Sequence, residues 1–576
     1  MPRKTVLIAV VAAVLAGPAN AGPVALMPGV SYERQVRFTP RGPVVIHVMR
    51  GPKPGGLYAL RPILANDVLL GRETVTSMQR RASAGATVAG VNGDFSTWDE
   101  GLPTGMLMQS GVLKAPPHPR RSSLGITDDG TFLVERVAML GQWQGSGPRR
   151  LLNGLNQRPG AQGTSLFTPD WGPSTPVMRG AVEVVLQPLP PAAPNTALPG
   201  TVAAITLGGG TPIPSNGAVL MARGGGATWL AAEAAVGEPM TVRLILRPQW
   251  GAVVDAIGGG PVIVRDGQPV FRALEDFTAS QLYPRAPRTG VGQLADGRLV
   301  FVVVDGRQAR YSVGVTNFEL AQILAGLGVV RGTALDSGGS SAMAFDGKLL
   351  NRPSDRGGER PVGDSLALYY YGVHAPPPAQ KVVSPNGDGV AETQSLSYKL
   401  VRPSTVTASI VGPDRIPRQT DTGAREPGVY RLTWSGRTAE GAPELEGRWR
   451  WVINAVDLTG QHSVVERSFW LNTTLARLRT RSVFRVRMRR SSPLRIGFFL
   501  ANPARVRVTI ETAYGTRVRT VANRVMLPGT KTVRWDGRFG NRALAYRGLY
   551  VVRVLANNRF GSVELSRRFI VRRARR

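Results

Sequence analysis

The chain of 576 residues contains no cysteine. Disulfides, thiolate metal sites, iron–sulfur clusters, thiol catalysis and a lipidated N-terminal cysteine are therefore excluded. Histidine is scarce, with four in all, so a multi-histidine metal centre is not expected. Acidic residues are few: 38 Asp and Glu face 71 Lys and Arg. A net charge of +33 calls for an anionic partner or anionic surroundings. No segment beyond the N-terminus has ~20 uninterrupted apolar residues, so no transmembrane domain is expected. What is abundant is turn-forming residues, 69 Gly and 45 Pro, which argue against a helical bundle and for many short strands. At roughly 100–200 residues per domain, two to four domains are expected.

Residues 1–21 read as a secretory signal: Arg3 and Lys4 start it, Thr5 to Gly17 is apolar, and Ala19-Asn20-Ala21 fits a small-x-small cleavage site. A secreted, extracytoplasmic protein at or near the cell envelope is the expectation. The first domain spans 30–372. Its clearest helix is Thr316–Leu327, where Phe318, Leu320, Ile323 and Leu324 recur near helical spacing and Gly326 and Gly328 end it. The Pro-rich stretch 373–383 reads as a linker. Two blocks then repeat each other, 384–474 and 475–576. Leu400, Pro403, Val406 and Ile410 match Leu500, Pro503, Val506 and Ile510; Trp434 matches Trp535, and Trp449 matches Tyr550. Short alternating strands in each suggest small β-sandwiches. The fold class expected is an α+β domain of mixed sheets with few helices, followed by two all-β immunoglobulin-like sandwiches.

The last block carries most of the charge. From Arg477 to Arg576 there are 26 basic and three acidic residues, about two-thirds of the net charge. In Arg485-Val486-Arg487-Met488-Arg489, Arg505-Val506-Arg507-Val508 and Arg517-Val518-Arg519, period-two alternation places guanidinium groups on one face of a sheet. That face would suit an anionic glycan or wall polymer. No aromatic-and-basic strand signature points to nucleic acid.

Within the first domain, polar clusters flanked by glycine follow strand-like runs. In order they are Asn92-Gly93-Asp94-Phe95, Ile257-Gly258-Gly259-Gly260-Pro261, Pro287-Arg288-Thr289-Gly290, Val304-Asp305-Gly306-Arg307, Gly314-Val315-Thr316-Asn317-Phe318-Glu319 and Leu335-Asp336-Ser337-Gly338-Gly339-Ser340. Asn351-Arg352-Pro353-Ser354 and Glu359-Arg360-Pro361-Val362 continue the series. This series resembles the phosphodiester glycosidase family over residues 80–372, with a stretch of about 142–247 that looks inserted. Ser337 stands where the family usually has a glycine, and Gly363-Asp364-Ser365 stands where a more apolar segment is expected. The two C-terminal blocks resemble the immunoglobulin-like domain of flagellar hook-capping proteins.

The resemblance implies hydrolysis of a sugar-1-phosphodiester, between the anomeric carbon and a phosphate oxygen. Phosphate leaves readily, so the chemistry needs a carboxylate to activate water or attack C1, and donors for the phosphate and sugar hydroxyls. Asp336 is the first candidate for that carboxylate, with Asp305 and Glu319 beside it. Arg288 and Arg360 are candidate phosphate clamps. Asn92, Gly93 and Thr289 are candidates for the sugar, and the backbone of Ser337, Gly338, Gly339 and Ser340 for an anion nest. No metal is assigned to this site. The one cation candidate in the chain is Ca²⁺ at Asn386 and Asp388, in a loop without the closing Glu of a calcium hand. The alternative is an envelope protein that binds anionic polysaccharide without cutting it. Convergence of Asp305, Glu319 and Asp336 in one cleft would favour the enzyme. A pure scaffold would leave Arg288 and Asp336 far apart.

Overall fold

The computed structural model describes residues 22–271, 273–487 and 492–573. The expected signal segment, and Met488 and Arg489 of the arginine run, lie outside them. The chain divides into two compact units, residues 1–371 and 372–576. No helix among the described residues is long and apolar enough to cross a membrane.

The first unit is built on two facing sheets. The strand Leu299–Val304 reads Leu-Val-Phe-Val-Val-Val and is buried throughout, as a strand covered on both faces must be. Leu299, Phe301 and Val303 point into a core shared with the second sheet, while Val300, Val302 and Val304 pack with the helix Asn317–Gly326. The second sheet is centred on Thr87–Asn92, flanked by Met343–Phe345 and Asp364–Tyr370. There Ala89 and Val91 meet the shared core and Val88 packs with the helix Val75–Ala82. The period-two alternation of both strands thus specifies four layers, helix–sheet–sheet–helix. The helix Asn317–Gly326 opens with a capping box: the Thr316 hydroxyl accepts from the Glu319 N–H at 3.1 Å, and the Glu319 carboxylate accepts from the Thr316 N–H at 2.8 Å. It closes at Gly328, whose φ of +88° suits a residue without a Cβ.

A separate eight-stranded sheet lies within residues 138–247, and its core around Trp143, Leu152, Leu220 and Leu244 continues into Met108, Leu113 and Val253 of a neighbouring sheet. The chain leaves and re-enters through one antiparallel pair, Ala138–Gln144 with Pro239–Arg247.

The second unit holds two β-sandwiches. In the first, the five-stranded sheet containing Ser404–Val411 and Gly447–Asp457 shares a core with the pair Gln394–Leu400 and Gly428–Trp434. In the second, the sheet containing Ala504–Thr512 and Gly548–Asn558 shares one with Leu475–Arg479, Leu494–Leu500 and Gly529–Trp535. The repeat is visible in the cores: Trp434 packs on Trp449 and Phe469 at 4.5 and 5.4 Å, and Trp535 packs on Tyr550 and Phe569 at 6.1 and 6.0 Å.

Residues 373–383 are not a free linker. Val373 and Ala375 are fully buried in the first sandwich's core, and the Ala375 carbonyl accepts from Arg467 at 2.7 Å. The apolar residues between the prolines hold the segment down. The loop at Asn386 and Asp388 wraps a carboxylate of the chain's own: Glu392 Oε1 accepts from the N–H groups of Gly387, Asp388 and Gly389. That turns N–H donors toward the loop's centre, an environment for an anion. In the last sandwich Val506 and Val508 are buried and Arg505 and Arg507 exposed. Arg485 lies directly opposite Arg572, and Arg495 opposite Arg534.

Candidate active site

Three aspartates meet where the ends of the two facing sheets come together. Asp94 follows the strand Thr87–Asn92, Asp364 opens the neighbouring strand, and Asp336 follows Val329–Ala334 of the other sheet. Backbone bonds join them: the Asp336 N–H donates to the Gly93 carbonyl at 3.0 Å, and the Gly93 N–H to the Asp364 carbonyl at 3.1 Å. The Asp364 Oδ1 accepts the Asp94 N–H at 2.7 Å, and the Asp94 Oδ2 accepts the Gly105 N–H at 2.7 Å. Asp94 and Asp364 are 2% and 1% exposed, whereas Asp336 opens partly to solvent. Glycines make room for these carboxyls. A Cβ on Gly105 would stand 2.7 Å from Asp94 Oδ2; one on Gly258 would overlap the same carboxyl, and one on Gly93 would overlap Asp364.

Burial sets the electrostatics. It raises Asp336 from the usual 3.8 to about 6, against the pull of hydrogen bonds from Ser340 and Ser337 and of the Arg360 and Arg121 guanidinium groups. It raises Asp94 to about 7, against N–H donors from Phe95 and Gly105 and the charge of Arg121; Asp336 adds to the rise. Asp364 lies well above the ordinary range, from burial and then from Asp94 and Asp336. Among the described residues its Oδ2 has no hydrogen-bond partner. Near neutral pH the site therefore holds an ionised Asp336 above a buried pair that retains a proton.

Asp336 faces a cleft of about 230 Å³, walled by Ser337, Ser340, Phe95, Trp98, Gln281 and the arginines Arg72 and Arg360. Asp355 holds Arg360 by a two-pronged pair at 2.7 and 3.1 Å. Arg72 is tied to the Thr97 carbonyl at 3.0 Å. Both guanidinium groups also lie near the Trp98 ring, 5.6 Å for Arg72 and 5.4 Å for Arg360, and that ring is 77% exposed. Beside a carboxylate, an exposed indole can stack a sugar face and the two guanidinium groups near it can pair a phosphate.

Residues 195–369 match the family model of the phosphodiester glycosidases. That stretch carries a phosphodiester glycosidase domain. The match starts inside the stretch 142–247. The chain is also similar to the SPbeta prophage-derived uncharacterized protein YomE of Bacillus subtilis (strain 168), 39% identical over 108 residues, 19% of this chain and 16% of that protein. It thus spans about a sixth of that curated relative. Among solved structures it is similar to a hypothetical protein from Synechocystis, at 25% identity and a TM-score of 0.53, over 62% of this chain and 64% of that one. It is similar as well to a putative exported protein from Burkholderia pseudomallei K96243, at 25% identity and a TM-score of 0.48, over 57% of this chain and 74% of that one.

Several expected site residues, in the phosphodiester glycosidase domain and before it, serve the framework instead. Asp305 and Glu319 do not line the cleft with Asp336. The Asp305 carboxylate is held by His47 at 2.8 Å, Tyr311 at 3.0 Å and Asn351 at 3.0 Å. Glu319 caps its own helix and pairs with Arg285. Arg288 is no free clamp. It is buried, and its guanidinium donates to the carbonyls of Gln281 at 2.7 Å, Pro284 at 2.9 Å, and Leu282 and Val315 at 3.3 Å. It still touches the site, since it also reaches the Ser337 hydroxyl at 3.3 Å. Asn92 and Thr289 face each other: Thr289 donates to Asn92 at 2.7 Å, and Asn92 donates to the Asp336 carbonyl at 2.9 Å. They position the Asp336 backbone. In the expected nest, the Ser337 N–H is taken by Asp336 at 2.7 Å and that of Gly338 by the Pro287 carbonyl at 2.9 Å. Gly339 lies under Arg360, where a Cβ would collide with the guanidinium.

Asp364, Arg72 and Trp98 are the site residues that sequence reasoning missed. The polar Gly363-Asp364-Ser365 in a segment expected to be apolar was the available signal for the first.

Proposed function

We propose that this chain hydrolyses a sugar-1-phosphodiester, cutting between the anomeric carbon and the phosphate oxygen. The observation that carries this is the pairing of an ionised, cleft-facing Asp336 with the arginine–tryptophan wall opposite it. Arg72 and Arg360 hold the phosphate, Trp98 stacks the sugar, and Asp336 activates water or attacks C1. The leaving phosphate needs little protonation, so Asp94 and Asp364 are positioning residues; their buried proton keeps a second full charge away from the phosphate. We also propose that the protein is secreted and acts on a cell-envelope or extracellular glycan. Support comes from residues 1–21 and from the arginine face of the last sandwich, where Arg485 lies directly opposite Arg572. Binding of purified anionic wall polymer should fall with salt and weaken in an Arg485→Gln/Arg572→Gln variant.

The non-cleaving alternative has one observation in its favour: Asp305, Glu319 and Asp336 do not converge. The test is release of reducing sugar from UDP-GlcNAc and from a synthetic GlcNAc-1-phosphodiester. Release by the wild type, abolished in a folded Asp336→Asn variant, is the expected result. A fully active Asp336→Asn variant would refute the assignment, and binding of such glycans without release would favour the alternative.

A further inference from the structure

Next to the cleft lies an apolar groove of about 540 Å³ that the proposed reaction does not use. Val262, Ile263, Phe271, Leu274, Leu282 and Phe318 are among the residues that line it. Its size is that of a small-molecule site. Its one acid among the described residues, Glu275, is fully engaged: it accepts from the Ser122 N–H at 2.7 Å, the Ser122 hydroxyl at 2.8 Å and the Val262 N–H at 2.8 Å. Among the described residues the groove therefore offers a ligand apolar surface and no free charge.

Three observations connect it to the cleft. The wall between the two is the single helical turn Ala279–Leu282, with Gln281 on the cleft side and Ala279 and Leu282 on the groove side. Arg288 pins that wall through the Gln281 and Leu282 carbonyls. Phe277 of the groove packs on Phe95 of the cleft at 5.6 Å, under the Arg121 guanidinium. At the rim, Phe271 and Leu274 are each 72% exposed and Tyr283 59%. Leu274 holds a φ of +55°, a left-handed conformation unfavourable for a leucine. A bulky apolar side chain kept in a strained, solvent-facing position is explained by a ligand that covers it. The cleft itself is smaller than most small-molecule sites, so it takes the reacting sugar and phosphate, and the rest of the substrate must leave it.

We propose that the groove receives an apolar chain esterified to the phosphate, which makes the substrate a sugar-1-phospho-lipid: a phosphodiester between a sugar's anomeric carbon and a long-chain alcohol. This rests on the phosphodiester glycosidase reading. In the step, the oxygen of water joins C1 and Asp336 takes one of its protons. The C1–O bond breaks with its electron pair going to the phosphate oxygen, and the products are the free sugar and an alkyl phosphate monoester.

The test uses the full chain and a series of GlcNAc-1-phosphate alkyl esters, methyl to octyl, below micelle-forming concentrations. kcat/KM should rise with each methylene, by up to about fourfold at ~0.8 kcal/mol per buried methylene, until the groove is filled. Leu274→Ser and Phe271→Ser should flatten that rise. The octyl-to-methyl ratio is the readout, because loss of folded protein leaves it unchanged. Hydrolysis of the methyl ester with no gain along the series would overturn the lipid proposal and leave the glycosidase reading standing. If no ester is cut, octyl phosphate binding by calorimetry decides: binding weakened by Leu274→Ser supports the groove, and no binding overturns it.

Discussion

Replacing Asp94 by Asn should reverse part of the pH dependence of the site's stability. In the folded chain burial lifts the Asp94 carboxyl from 3.8 to about 7. The folded state therefore binds this proton more tightly than the unfolded chain, and stability falls as pH rises from about 4 through 7. At ~1.36 kcal/mol per pH unit, the ionised group costs the fold about 4 kcal/mol above pH 7, and about 2.5 kcal/mol of that develops between pH 5 and 8. Asn keeps an acceptor for the Gly105 N–H and carries no charge. Asp364, relieved of its neighbour, titrates lower in the variant, which adds in the same direction. Hydrogen exchange by mass spectrometry, corrected for the pH dependence of intrinsic rates, would read this in peptides covering Thr87–Asn92 and Asp364–Tyr370. Relative to wild type, Asp94→Asn should gain about a hundredfold in protection at pH 8 over its effect at pH 5. An identical pH trend in both proteins would show that Asp94 is not a buried, proton-retaining carboxyl, and the account of the pair would fail.

Four further outcomes follow from the same geometry. On any substrate the domain cuts, log kcat/KM should rise with pH to about 6, where Asp336 ionises, and fall again above about 7, where Asp94 ionises and brings a second charge to the site; activity that falls through pH 6 would give Asp336 an acid's role instead. Arg72→Gln and Arg360→Gln should each lower kcat/KM about 10- to 100-fold, the value of a charge-assisted hydrogen bond, with thermal stability little changed. Arg288→Gln should act on stability instead, lowering Tm by stranding carbonyls in the wall at 281–284, so a cold-stable variant with activity lost would contradict its framework role. Gly258→Ala should cost roughly 1–3 kcal/mol in unfolding measurements, because its Cβ needs the space of the Asp94 carboxyl.

What could be read from the sequence was local or repetitive. The helix Asn317–Gly326 announced itself by the spacing of Phe318, Leu320, Ile323 and Leu324 and by its closing glycines; the sandwich repeat showed in Trp434 and Trp535. Asp336 stood out because the motif Asp336-Ser337-Gly338-Gly339-Ser340 resembles one of the phosphodiester glycosidase family. The rest depends on pairing between distant segments. Asp364 meets Asp94 only because their strands are neighbours in a sheet, although 270 positions separate them. Residue type also did not tell which way a side chain points. Arg288, Asn92 and Thr289 have the chemistry of ligand contacts, yet all three turn inward to hold loops together. Trp98 and Arg72 carried no local signal, since an aromatic and a cation in a loop acquire meaning only when folding sets them over one cleft.

The central claim is that the bond cut is the glycosidic one, at C1, and hydrolysis in ¹⁸O-labelled water tests it most directly. After digestion of a sugar-1-phosphodiester, mass spectrometry of the phosphate monoester should find no ¹⁸O, because the water oxygen joins the sugar. Incorporation of ¹⁸O into the phosphate would mean attack at phosphorus, and would contradict the assignment of Asp336 to the anomeric carbon.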